Sequence, residues 1–162
     1  MFYRLTYCII IFISFALLAL PPVLASGAPL KPPTQGFTKA TMKVKTGAAM
    51  LEFDAEIAQT PEQMQYGLMN RTELPDNYAM MFLFPDDRPR AMWMKDTPLP
   101  LDMLFIDKHG KILYIKHRAT PNSTEEISFS TPARAVIEMP GGTAEKKNIQ
   151  VGDSIIHPYF IP

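Results

Sequence analysis

Strict alternation of apolar and polar residues marks the first part of the chain that reads as folded. From Thr41 to Lys45, Met42 and Val44 take one side while Thr41, Lys43 and Lys45 take the other. From 50 to 57, Leu51, Phe53, Ala55 and Ile57 oppose Glu52, Asp54 and Glu56. A period of two over such runs is the mark of half-buried strands, and Thr46-Gly47-Ala48-Ala49 between them predicts a hairpin. Lys43 and Lys45 are then expected across from Glu52 and Asp54. At Thr60 the pattern turns helical. Thr60 suits the cap, Pro61 the first helical position and Gln63 the return partner of a capping box, with Met64 and Leu68 on one face. Glu73-Leu74-Pro75-Asp76-Asn77 reads as a turn.

Ala79 to Phe84 is apolar at every position, which predicts a strand covered on both faces, and Pro85-Asp86-Asp87-Arg88-Pro89 is expected to end it. Short strands are predicted at 91–94, 101–106 and 111–119, the last two joined by Asp107-Lys108-His109-Gly110 with glycine for a left-handed position. Further strands are predicted at 133–139 and 154–160, separated by a helical turn over 143–148. Seven or eight short strands with one main helix and no βαβ rhythm predict a mainly β, β-rich α+β fold. The expected architecture is a compact antiparallel sandwich or barrel forming a single domain over 41–162.

What precedes residue 41 differs in kind. Arg4 is followed by an apolar run from Cys8 to Leu20, then Pro21-Pro22 and the small-residue ending Val23-Leu24-Ala25. This order matches a secretory signal peptide over 1–25, with an apolar run too short for a bilayer span. Residues 26–40, with Pro29, Pro32, Pro33, Gly27 and Gly36, read as a flexible linker. Cleavage after Ala25 removes Cys8, the sole cysteine, and Arg4, leaving a net charge of −1. The expected location is periplasmic or secreted, with membrane contact only through the signal peptide before cleavage. Sixteen basic and sixteen acidic side chains balance in the whole chain, which argues against nucleic-acid binding by bulk charge.

The densest polar and aromatic cluster runs from Met92 to Asp102 and holds Trp93, the only tryptophan, with Lys95, Asp96, Thr97, Pro98 and Pro100. A proline-stiffened loop carrying such groups is a common way to build a small-ligand site. Asp102 falls on the 101–106 strand among apolar neighbours on both faces, and Glu138 poses the same problem beside Val136. A buried carboxylate needs a partner or loses its charge. Both acids are therefore expected to bond backbone N–H groups or a cation, with Lys95 and Arg71 as the candidate cations, either as a buried latch that fixes the loops or as a ligand-facing site. Methionine is frequent, and Met92 with Met94 forms the best thioether pair for Cu(I). His109, His117 and His157 lack zinc-site spacing, no G-x-S-x-G motif occurs, and no cofactor is expected.

Gly67-Leu68-Met69-Asn70-Arg71, Met80-Met81-Phe82-Leu83-Phe84, the run from Trp93 to Asp102, and Val136-Ile137-Glu138-Met139-Pro140-Gly141-Gly142 followed by Val151-Gly152-Asp153 occur in one order. In this the chain resembles the domain-of-unknown-function family DUF192 over about residues 42 to 160. The resemblance implies a compact, mainly β domain, often exported, and no established activity. Arg71, Trp93, Lys95, Thr97, Asp102 and Glu138 match family motif positions. Two departures stand out. The family usually has asparagine at Asp96, so this chain gains a charge there, and glycine at Ala79, where a left-handed backbone would suit alanine poorly.

These readings converge on an exported, non-catalytic binding or accessory module of the cell envelope, its partner a small ligand or an envelope protein. Arg71, Trp93, Lys95, Thr97, Asp102 and Glu138 are its expected binding residues. The alternative is a small hydrolase or transferase using Asp102 or Glu138 as acid or base, and a further one is Cu(I) handling through Met92 and Met94.

Overall fold

A single curled sheet of seven strands builds the protein in the computed structural model, which describes residues 30–160. The signal peptide read at 1–25 and residues 26–29 of the linker lie outside the described residues. In chain order the elements are β1 (Thr38–Lys45), β2 (Met50–Ala58), α1 (Pro61–Tyr66), β3 (Tyr78–Met92), β4 (Leu101–Ile106), β5 (Ile112–Ala119), β6 (Ile127–Pro140), α2 (Thr143–Lys146) and β7 (Ser154–Ile156), then a 3-10 turn at Pro158–Phe160. Across the sheet the order is β5-β4-β6-β3-β2-β1-β7. The two ends of the sheet meet at a single bridge between Lys111 and Ser154, and the sheet curls into a half-barrel. There Gly110, at φ 82°, accepts from the Ile155 N–H at 2.7 Å. A Cβ at Gly110 would lie 2.6 Å from the Ile155 carbonyl oxygen, so only glycine lets the strands come this close.

The local signals read from the sequence form as expected. Thr46 closes the β1–β2 hairpin, and Thr60 and Gln63 complete a reciprocal capping box at α1. Buried Gln63 does more than cap, since its amide also donates to the Gly36 carbonyl at 3.1 Å and ties the incoming chain to the helix. Gly67 ends α1 at φ 48°, where a Cβ would sit 3.0 Å from the Phe82 ring.

Several expectations are corrected. β1 starts at Thr38, inside the segment read as linker. In the hairpin Lys43 does oppose Glu52, at 3.4 Å, but Asp54 faces Thr41 and Lys45 faces Met50. The prolines at 85 and 89 do not end β3, which runs on to Met92 beside the similarly long β6. They are tolerated because the β3–β6 ladder slips register between Leu83 and Arg88 and again before Arg90, so no regular ladder bond is demanded of them. β2 and β3 pair in parallel across α1, a connection the sequence reading did not foresee. β7 spans three residues, and 158–160 is 3-10 rather than strand.

Alternation along the strands divides the apolar residues between the two faces of the sheet. One face gathers Met42, Phe53, Met81, Leu104, Ile137 and Met139 and is closed by Ala144, Ile149 and Phe160. The other gathers Met80, Phe82, Met94, Met103, Phe105 and Val136 and is covered by Leu68 and Met64 from the α1 region. Burial of these two sets is the main source of stability in a fold with no disulfide among the described residues.

Candidate functional site

The two buried acids face opposite sides of the sheet. β4 and β6 pair so that Met103 opposes Glu138 and Asp102 opposes Met139. Because successive side chains alternate, Asp102 joins the face closed by α2 and Glu138 joins the face covered by α1.

Asp102 is fully buried, and both its oxygens are engaged. They accept from the backbone N–H groups of Arg118 at 2.8 Å, Gly142 at 2.9 Å and Ala144 at 2.8 Å. One carboxylate thus ties β5 to the turn that starts α2. Arg118 at φ 43° and Gly142 at φ 89° show how far the backbone bends to reach it. Its partners are backbone N–H groups, one of the two kinds expected, and neither Lys95 nor Arg71 is among them. With both oxygens occupied and no exposure, Asp102 has no route to a substrate, which removes it from acid–base roles.

Glu138 is in the opposite situation. It is 4% exposed, lies between Met80 and Met103, and makes no hydrogen bond or ion pair to protein among the described residues, its carboxyl oxygens keeping contact with solvent through a cleft. Burial pushes its carboxyl up to about 8, so at neutral pH it is held largely as the neutral acid. It lines a cleft of about 90 Å³, together with Met64, Met69, Met92, Trp93, Lys95 and Thr97. A water needs about 10–15 Å³ of such space, so the cleft admits a few waters or one small group rather than a whole drug-sized molecule.

The loop from Trp93 to Pro100 forms one wall and is pinned at several points. Met94 N–H donates to Ser123 O at 3.0 Å, Asn122 N–H to Thr97 O at 3.0 Å, Asn70 N–H to Asp96 O at 2.8 Å, and Gly141 N–H to Pro100 O at 2.8 Å. Asp96 sits at φ 53°, a left-handed conformation that asparagine adopts more readily than most residues. Ala79 is by contrast fully buried within strand β3 and is not among the positive-φ residues, so the strain expected of it does not arise. Thr97, 6% exposed, donates its hydroxyl proton to Lys95 O at 3.1 Å. Trp93 is 43% exposed, and the Lys95 ammonium lies 5.7 Å from its ring centroid without an ion pair among the described residues.

Four of the six expected binding residues, Trp93, Lys95, Thr97 and Glu138, therefore line one cleft. Arg71 does not join them. Its guanidinium pairs with Glu56, bonds the Tyr78 hydroxyl and lies over the rings of Phe37 and Tyr78. Tyr78 is buried, which raises its phenol above the ordinary value. Glu56 was read as a surface residue of the hairpin; its half-buried place beside Arg71 and Tyr78 depends on the β2–β3 pairing. The thioether pair is split, because Met94 is fully buried in the core while Met92 lines the cleft. Met64 and Met69, which also line it, counted in the sequence only among the frequent methionines weighed for Cu(I), and Phe82 carried no functional signal beyond its apolar pattern. Among the described residues no three His, Cys, Asp or Glu side chains are grouped to hold a metal ion.

Comparison with known proteins places this geometry. The family model for DUF192, Uncharacterized ACR, matches residues 42–157. No curated protein matches. A crystal structure from Sinorhizobium meliloti 1021, of a protein whose name proposes a transcription regulator, is 34% identical with a TM-score of 0.74, covering 76% of this chain and 97% of its own. A protein of unknown function from Novosphingobium aromaticivorans DSM 12444 is 30% identical with a TM-score of 0.73, covering 82% of this chain and 94% of its own.

Proposed function

The chain belongs to the DUF192 family, whose function is unknown, and from that premise we propose that it is an exported, non-catalytic binding module receiving a small ligand group in the Glu138 cleft. The observation that carries the reading is an acid 4% exposed, with no partner among the described residues, lining an open cleft. Burying such a group costs stability, and the fold gains no tie from it in return, whereas Asp102 secures three backbone groups. A perturbed acid in a cleft is a functional-site signal. Among the described residues Glu138 is the only carboxylate lining the cleft, and no serine or histidine accompanies it. Tyr66 and Lys95 also line the cleft, and the reading of binding over turnover rests on a single unpaired acid set among thioether and aromatic side chains.

Export rests on the residue pattern from Arg4 to Ala25. The regulator name of the Sinorhizobium neighbour is not carried over, because sixteen basic residues are balanced by sixteen acidic ones.

A thermal-shift screen of small envelope metabolites tests the reading on the protein purified from its own host, with Glu138→Gln in parallel. Hits should raise the melting temperature of the wild type and lose that effect in the variant. Hits that stabilise both proteins equally would move the binding site elsewhere. Recovery of the protein from the cytosolic fraction alone would remove the exported part of the proposal.

A further inference from the structure

We infer that the group entering the cleft is a primary ammonium on an alkyl stem, because Glu138 and Thr97 face it as acceptors behind thioether and aromatic walls. This rests on the cleft being a ligand site and names the chemistry that site selects.

Hydrogen-bond polarity is the first support. The Thr97 hydroxyl spends its one proton on the Lys95 carbonyl, so only its lone pairs are left to offer. An ionised Glu138 is acceptor-only as well, and no protein donor competes for it among the described residues. An ammonium has three donors and no acceptor, so it complements both groups at once. The walls agree. Met64, Met69 and Met92 are polarisable thioethers that pack well against methylenes, and Phe82 and Trp93 add aromatic faces of the kind that attract cations. About 90 Å³ accommodates an ammonium with a short stem, leaving the rest of a larger ligand outside. Lys95, the one cationic residue of the lining among the described residues, has its ammonium 5.7 Å from the Trp93 ring centroid and makes no ion pair with Glu138.

Charge balance then fixes the pH dependence. The ligand arrives as R-NH3⁺, neutral Glu138 releases its proton to solvent, and the bound state is an ammonium–carboxylate pair. The titratable side chains nearest Glu138 are Tyr66 on α1, Tyr78 on β3 and Lys95 on the loop; beyond them Glu56 on β2, paired with Arg71, and Lys116 on β5 lie in the same cross-strand row, and none of these is a histidine. Affinity for an ammonium should therefore rise about tenfold per pH unit below the midpoint of Glu138, since only the ionised fraction binds. A carboxylate ligand, which would accept a hydrogen bond from the neutral acid, shows the reverse slope.

The test uses the full chain with n-propylammonium, propionate and n-propanol as probes, followed through Trp93 fluorescence at pH 6 and pH 7. The expected result is saturable propylammonium binding about tenfold tighter at pH 7. Glu138→Gln should weaken it at least tenfold and abolish the slope, with its fold checked by circular dichroism. Tighter binding of propionate, a flat or reversed slope, equal binding by Glu138→Gln, or no binding of propylammonium each overturns the inference. If other ligands still stabilise the wild type but not Glu138→Gln in the thermal screen, the cleft reading stands and the ammonium assignment alone falls.

Discussion

Replacing Glu138 with glutamine keeps the shape of the side chain and removes its titration. In the folded protein burial pushes the carboxyl up to about 8, against 4.5 for an unperturbed glutamate. Between those values the folded state holds a proton that the unfolded chain has lost, so stability falls as pH rises. The neutral acid suits the fold below about pH 4.5, and the penalty is complete above about pH 8. At 1.36 kcal/mol per pH unit the wild type has lost about 3 kcal/mol by pH 7 and up to about 5 kcal/mol above pH 8. Glutamine loses nothing over the same range. Glu138→Gln should therefore match the wild type within about 1 kcal/mol at pH 4 and exceed its stability by about 2–3 kcal/mol at pH 7. Urea unfolding of both proteins at pH 4, 5.5, 7 and 8.5, followed by circular dichroism, reads this directly. Parallel pH profiles, or a variant less stable than the wild type at pH 8.5, would refute the reasoning, because Glu138 would then be ionised and held by a partner.

The acid on the opposite face should respond in the other direction. Asp102→Ala leaves the N–H groups of Arg118, Gly142 and Ala144 without acceptors, and about 3–5 kcal/mol of stability should be lost in urea unfolding while the cleft keeps its probe affinity; loss of binding in a protein of unchanged stability would place Asp102 in the site instead. Asp96→Asn relaxes a left-handed residue and should raise the denaturation midpoint by an amount equivalent to a few tenths of a kcal/mol. A lower midpoint would mean that the Asp96 carboxylate makes a contact that its backbone angle does not reveal.

Features set by short-range chemistry were legible in the sequence, and those set by pairing between distant segments were not. The hairpin register near Lys43 and Glu52, the Thr60–Gln63 cap and the glycine turn at 110 each depend on residues a few positions apart. The length of β3 was hidden because proline normally ends a central strand, and only the slipped ladder opposite β6 accommodates residues 85 and 89. Both acids could be recognised as buried from alternation alone. Which of them is satisfied could not, because that depends on the Met103–Glu138 register and on where residues 142 and 144 fold back. The loop residues Trp93, Lys95 and Thr97 were found through their density of polar and aromatic groups. Arg71 looked equivalent in sequence, yet the parallel β2–β3 pairing supplies Glu56 and Tyr78 to hold it elsewhere.

Carbon-13 NMR of the Glu138 side-chain carboxyl in the full-length chain, assigned by comparison with Glu138→Gln and titrated from pH 3 to pH 9, addresses the central claim most directly. The neutral, unpartnered acid described above requires a flat signal through the ordinary carboxylate range and a single midpoint near 8. A midpoint near 4.5 would mean that the carboxylate is ionised in the resting protein, and the cleft would lose the feature that distinguishes it.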